Sequence, residues 1–245
     1  MLEQLRGYYE SNGILSTKFD CPHRSSCSSK TDKFTGPKSA FVSTNYESAV
    51  LPRLLFLSLD SGSGEEDPQE RLPSAVRRQE EVDRNITKLA KGRHWYRTHE
   101  LAWYILSKFD KALQLEQVKH YFAHANSAKC CMNKDGHAKA NSMLFKNCKQ
   151  YLGGELDLLM PDIVVTQGNE ARTAMGDLVS NGILKEIDAF AAEVELNKRP
   201  TFWLHTYHPS NYGAFNKQRD FNRATRKADG WERYASFMAN FIQNK

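Results

Sequence analysis

The chain has 245 residues, 40% of them hydrophobic and 26% charged, with a net charge of +5. These proportions describe a folded globular protein, and no apolar run approaches the ~20 residues of a membrane-spanning helix. The opening Met1-Leu-Glu-Gln-Leu-Arg-Gly lacks the apolar core of a signal peptide, so a cytoplasmic protein without a membrane partner is expected; the mildly basic balance permits a polyanion partner without establishing one.

Residues 1–20 predict a short helix and a connection. Residues 21–50, rich in Ser, Lys, Cys, Pro and Thr, show little periodicity and need something to hold them. Arg53-Leu-Leu-Phe-Leu-Ser-Leu-Asp60 is an apolar run ended by Ser-Gly-Ser-Gly, which predicts a buried parallel strand and a loop, with a polar loop over 62–73. Helices are predicted over 74–90 and 98–115, the second carrying Leu101, Tyr104, Ile105 and Phe109 on one face. Tyr121–Ala125 reads as a short strand, and 143–158 as a helix stopped by Pro161. Ile163–Thr166 is a further strand, followed by Gly168 and a helix from about Glu170. Phe202–His205 is the last predicted strand and Gly230–Ile242 the closing helix.

Strands alternating with helices predict an α/β fold, a three-layer α/β/α sandwich with a mostly parallel central sheet, in a single domain over residues 1–245. In such sheets function sits beyond the carboxyl ends of the strands. That rule brings Asp60, Asn126, Gly168 and His208 toward one crevice.

Each of these has a chemical use beside an ordinary structural one. Asp60 can orient a water or stabilise a cation, and Asp-Ser-Gly also makes a good Asx turn. His208, in Thr206-Tyr-His-Pro-Ser210, sits beside the stiffening Pro209 and can donate to a developing anion; a turn histidine satisfies the same pattern. Asn126 offers donor and acceptor together, which suits the edge of a base, or caps a loop. Lys217, Arg219, Arg223, Arg226 and Lys227 crowd one segment, as a solvated helix face or as phosphate contacts.

There are five cysteines. The odd count and a reducing compartment argue against a disulfide framework. Cys21 and Cys27 bracket Pro-His-Arg-Ser-Ser, Cys130 follows a predicted strand and Cys148 lies in a predicted helix. Four thiolates from three places suit a tetrahedral zinc or a 4Fe–4S cluster, and spacing alone does not separate the two. His23, His124 or His137 can replace a cysteine on zinc, and buried thiols are the third reading.

Together these pieces resemble the uracil-DNA glycosylase superfamily, closest to its iron–sulfur branch, family 4, over about Cys21 to Tyr212. Asn126-Ser-Ala-Lys-Cys130 is similar to the family's Asn-x-x-Lys-Cys segment, and Asn147-Cys148-Lys-Gln-Tyr-Leu to its helix-borne cluster cysteine followed by x-x-Tyr-Leu. Pro161-Asp-Ile-Val-Val-Thr-Gln-Gly168 and Thr206-Tyr-His-Pro209 follow in the family order. The first motif diverges. Where the family has Gly-Glu-x-Pro-Gly, this chain has Ser58-Leu-Asp-Ser-Gly62, with Leu59 at the family glutamate and Asp60 where other uracil glycosylases carry the Asp of Gly-Gln-Asp-Pro-Tyr. Five residues separate Cys21 from Cys27, against two in the usual family pair, and Cys131 is spare or exchanges roles with Cys130.

The resemblance implies a monofunctional glycosylase that flips a pyrimidine-type base, uracil or a modified cytosine, out of DNA and hydrolyses its N-glycosidic bond, in repair or in anti-phage defence. Asp60 and His208 take the catalytic roles, with Glu65 and Glu66 as runners-up to Asp60. Asn126, Gly62 and Trp95 bind the base, Trp95 as the stacking platform by its place in Gly92-Arg93-His94-Trp95. Lys217, Arg219 and Arg223 contact DNA. Cys21, Cys27, Cys130 and Cys148 hold a structural 4Fe–4S cluster that ties down residues 1–50. A monomer is expected. The rival of another class is a non-catalytic nucleic-acid-binding protein with a structural four-cysteine zinc. A nuclease would need a carboxylate cluster, for which only Asp60, Glu65, Glu66 and Asp67 are at hand.

Overall fold

The computed structural model describes the chain except for residues 16–20, 30–33, 62–66, 132–140, 180–181, 211 and 220–229. Its helices are α1 (Leu2–Ser11), α2 (Arg24–Ser28), α3 (Thr44–Glu47), α4 (Pro73–Arg78), α5 (His94–Leu106), α6 (Ser142–Leu159), α7 (Asn169–Leu178), α8 (Tyr212–Arg219) and α9 (Trp231–Gln243). Its strands are β1 (Phe41–Val42), β2 (Leu54–Asp60), β3 (Phe122–Ala128), β4 (Ile163–Gln167), β5 (Ile183–Asp188), β6 (Ala191–Leu196) and β7 (Arg199–Thr206).

One seven-stranded sheet runs in the order β1-β3-β2-β4-β7-β6-β5. The four central strands β3, β2, β4 and β7 are mutually parallel, and β1, β6 and β5 join antiparallel at the edges. Helices cover both faces, as the alternation of elements predicts. Along β2 the side chains alternate between two cores. Leu55 and Leu57 pack with α1, α6 and α7, through Leu5, Tyr9, Leu152 and Met175. Leu54 and Phe56 pack with α5 and α9, through Leu101, Ile105, Trp231 and Met238. Leu54–Leu57 are fully buried, which is why this strand reads as an unbroken apolar run.

Three features depart from the sequence reading. The strands β5 and β6 fall in a stretch without a predicted element. Charged Lys185, Glu186, Glu193 and Glu195 fill them, and Ile183 and Leu184 stay exposed on the edge, so no apolar run announces them. The helix predicted over 74–90 breaks into α4, a wider turn over Gln79–Asp83, and a short turn over Ile86–Lys88 capped by the Asn85 side chain. Arg84 between them is extended, and its guanidinium pairs with buried Glu80 at 2.5 Å. The helix predicted over 98–115 starts earlier, at His94, and ends at Leu106. By contrast α6 keeps its predicted limits: Asn141 caps it, and Met160 closes it in the left-handed conformation before Pro161.

The sheet order reverses at β2. The chain leaves β2 for β3 on one side and later places β4 on the other, which opens a crevice at the carboxyl end of β2. The described residues 34–39 are held by protein contacts. Buried Arg71 donates to the carbonyls of Pro37 and Gly36 and to Ser61 Oγ, and Thr35 pairs with Cys131 through two backbone hydrogen bonds.

Candidate active site

Side chains alternate along a strand, so the polar residues at the carboxyl ends of β2, β3 and β4 continue the faces of the apolar ones before them. Ser58 follows Phe56, His124 and Asn126 follow Phe122, and Gln167 follows Val165, all toward the α5 side. The register pairs Ser58 with Asn126 and Asp60 with Ala128. A buried polar chain results. His124 Nε2 lies 2.8 Å from Ser58 Oγ, Ser58 Oγ donates to Gln167 Oε1 at 2.7 Å, and Gln167 Nε2 donates to Thr98 Oγ1 at 3.1 Å.

The loop after β7 brings His208 over this floor. The Ser210 backbone N–H donates to His208 Nδ1 at 3.2 Å, and the Ser210 hydroxyl lies 2.6 Å from the same nitrogen. An amide N–H only donates, so Nδ1 is the acceptor and a neutral His208 carries its proton on Nε2. Burial holds the His208 pKa below the ordinary 6.5, while the nearby carboxylates Asp60 and Glu170 pull it up. Asp60 and His208 thus stand within electrostatic reach of each other. The loop is anchored from α8 and α5. Gln218 accepts from Tyr207 N–H and donates to the His205 carbonyl, and Arg97 donates to the Pro209 carbonyl and to Asn216. Gly168 completes the wall at φ +99, where a Cβ would lie 3.0 Å from Leu59 Cδ2 and 3.5 Å from His208 Cβ.

Asn126 is 7% exposed, and its backbone carbonyl accepts from Lys129 Nζ at 2.8 Å.

Trp95 is 9% exposed, its indole N–H donates to Glu80 at 2.5 Å, Arg84 lies over its ring at 4.9 Å, and Phe41, His99, Phe122 and His124 pack edge-on. The ring's N–H and one face are thus engaged within the protein, which favours a core role over a stacking platform. Its neighbour His94, which sequence reasoning passed over, is the ring that meets His208, with centroids 5.0 Å apart at 30°. Only the start of α5 at this residue could have signalled it.

Cys27, Cys130 and Cys148 share one buried cluster with Leu144 and Ala128. Burial first, and then the neighbouring thiols, raise the pKa of Cys130 and of Cys148; Cys21 and Cys27 are among the thiols acting on both. Cys148 is raised to about 11. Cys21, Cys27, Cys130 and Cys148 therefore stand within electrostatic reach of one another. The Lys129 N–H and the Asn147 carboxamide donate to Cys148 Sγ and Cys27 Sγ, each at 3.3 Å. None of the five forms a disulfide. Among the described residues, no three His, Cys, Asp or Glu side chains stand as a ready site for a single metal ion. Of the alternative ligands, His23 lies 2.7 Å from Gln150 Nε2, His124 belongs to the crevice, and His137 is outside the described residues.

Of the expected DNA contacts, Lys217 is exposed on α8, and Arg219 is paired with Glu100 at 3.4 Å. Arg223, Arg226 and Lys227, like Gly62, Glu65 and Glu66, lie outside the described residues. Asp67 caps a short turn by accepting from Gln69 N–H. No described helix is long and apolar enough to cross a membrane.

Asp60 and His208 stand within electrostatic reach of each other at the switch point of a parallel sheet, and Asn126 lies on the neighbouring strand in register with Ser58. The chain belongs to the Uracil DNA glycosylase superfamily, whose family model matches residues 52–232, most of the chain. Members of that superfamily are DNA glycosylases. No curated protein matches the chain.

Proposed function

We propose that this protein is a monofunctional DNA glycosylase that flips out a pyrimidine-type base, uracil or a modified cytosine, and hydrolyses its N-glycosidic bond to leave an abasic site. The observation that carries this reading is that Asp60, at the end of β2, lies close enough to His208 for its charge to act on the imidazole. The target nucleotide must leave the stack to reach such a crevice. The Asn126 carboxamide hydrogen-bonds the edge of the flipped base. As the bond from C1′ to the base breaks, positive charge grows on the sugar and negative charge on the base. Asp60 stabilises the first and directs a water whose oxygen adds to C1′, the water's proton passing to the carboxylate and on to solvent. His208 donates from Nε2 to the departing base anion, which needs no proton transfer from the ring. Lys217, with Arg223 beyond the described residues, contacts phosphates without reading sequence.

The four converging thiols fit a structural 4Fe–4S cluster held by Cys21, Cys27, Cys130 and Cys148. Four thiols within electrostatic reach of one another support a shared metal-binding role, and the resemblance to the iron–sulfur branch favours the cluster over zinc. Such a cluster supplies rigidity and takes no part in bond cleavage.

The test is an abasic-site assay on duplex DNA containing uracil, hydroxymethylcytosine or glucosylated hydroxymethylcytosine, with Asp60→Asn as control. Release of uracil supports a repair role, and release of a modified cytosine a role in defence against phage DNA. Release from none of them, with DNA binding intact, sinks the enzymatic reading in favour of a binding module.

A further inference from the structure

His94 is assigned no role by the catalytic scheme, yet it is the residue in closest ring contact with His208. It opens α5, where the positive end of the helix dipole disfavours a cationic side chain. Its ring also meets the edge of His124 at 6.0 Å, and the Gln167 carboxamide, fixed by Ser58 and Thr98, supports it from the sheet. The two imidazoles lie 5.0 Å apart at 30°, too close to admit a base between them, since two stacked layers would need roughly 7 Å.

We infer that His94 is a positioning residue: its imidazole, seated on Gln167, covers one face of the His208 ring, excludes water from it, and keeps it neutral with the proton on Nε2. This rests on the proposed role of His208 as a neutral donor to the departing base. It assigns to His94 the wall that a stacking aromatic would otherwise provide.

The charged and titratable groups around the pair make the inference testable. Asp60 on β2 and Glu170 on α7 face His208 and favour its cationic form. Arg84 and His99, with His208 itself, face His94 and favour its neutral form, and burial drives the His94 pKa down to about 3. With His94 gone, water reaches His208 and the two carboxylates dominate.

The experiment is an NMR titration of the His208 ring in the full-length protein, wild type against His94→Ala and His94→Phe. The wild type is expected to titrate below 6.5 and to show the Nε2–H tautomer. In His94→Ala the titration should move upward, toward or past the ordinary imidazole value. In His94→Phe, which keeps a ring over His208, it should stay near the wild-type position. If His94→Ala does not fold, His94→Asn carries the same expectation. An unmoved titration in the truncated variant overturns the inference, and so does a shift in His94→Phe as large as in His94→Ala. The titration needs no catalysis, so it decides the role of His94 even if no base is released. Where base is released, the acid limb of the kcat profile should move with the titration.

Discussion

The Lys129 ammonium and the Glu155 carboxylate form an ion pair sealed from solvent, the two side chains being 2% and 0% exposed. Lys129 also donates to the Asn126 carbonyl, and the Tyr9 hydroxyl donates to Glu155. The pair thus links the strand end that carries Asn126 to helix α6, which carries Cys148. Removing one partner strands a buried charge, so Lys129→Met or Glu155→Gln should each cost about 3–5 kcal/mol in denaturant unfolding. Replacing both together with apolar residues should recover much of that loss.

Gly168→Ala should destabilise the protein by about 1–3 kcal/mol, because a side chain at φ +99 is strained and its Cβ meets Leu59 Cδ2 at 3.0 Å. The same displacement reaches His208 Cβ, 3.5 Å away, so kcat should fall more than KM changes. Loss of stability with unchanged kcat would separate Gly168 from the site.

Stability should decline with acid below about pH 6.5. Burial holds His94 to about 3, and His99 and His205 to about 4, so all three are neutral in the folded protein at pH 5 and protonated in the unfolded chain. The unfolded state then binds more protons, and stability rises with pH from about 4 to 6.5 and levels above it. Each group contributes up to about 1.4 kcal/mol per pH unit in that window. Denaturant midpoints across pH 4.5–7.5, in wild type and His99→Gln, would measure the slope and its reduction.

Trp95→Phe should lower stability by about 1–3 kcal/mol, since the buried Glu80 carboxylate loses its indole donor. Binding of flipped-base DNA should be unaffected. Weaker binding at unchanged stability would return Trp95 to the crevice.

Metal content should separate the cysteines. Cys148→Ser is expected to lose bound metal and, for an iron–sulfur cluster, the brown visible absorption; Cys131→Ser should keep both. Zinc by elemental analysis in a colourless wild type would select the other four-cysteine reading.

The central strands were legible because a strand buried on both faces must be a short unbroken apolar run, and Leu54–Leu57 and Ile163–Val165 are such runs. Asp60 and His208 were legible for a related reason: where such a run stops at a polar turn, the next side chain falls at the strand's carboxyl end. The edge strand β5 and its neighbour β6 were not, since Lys185, Glu186, Glu193 and Glu195 interrupt any apolar run.

The sequence by itself determined the parallel α/β core and the chain order of Asp60, Asn126, Gly168 and His208. The tertiary structure decided which aromatic of Gly92-Arg93-His94-Trp95 meets His208. Consecutive residues at the start of a helix point about 100° apart, and only the partners of each ring, Glu80 and Arg84 for Trp95 and His208 for His94, fix which one turns inward.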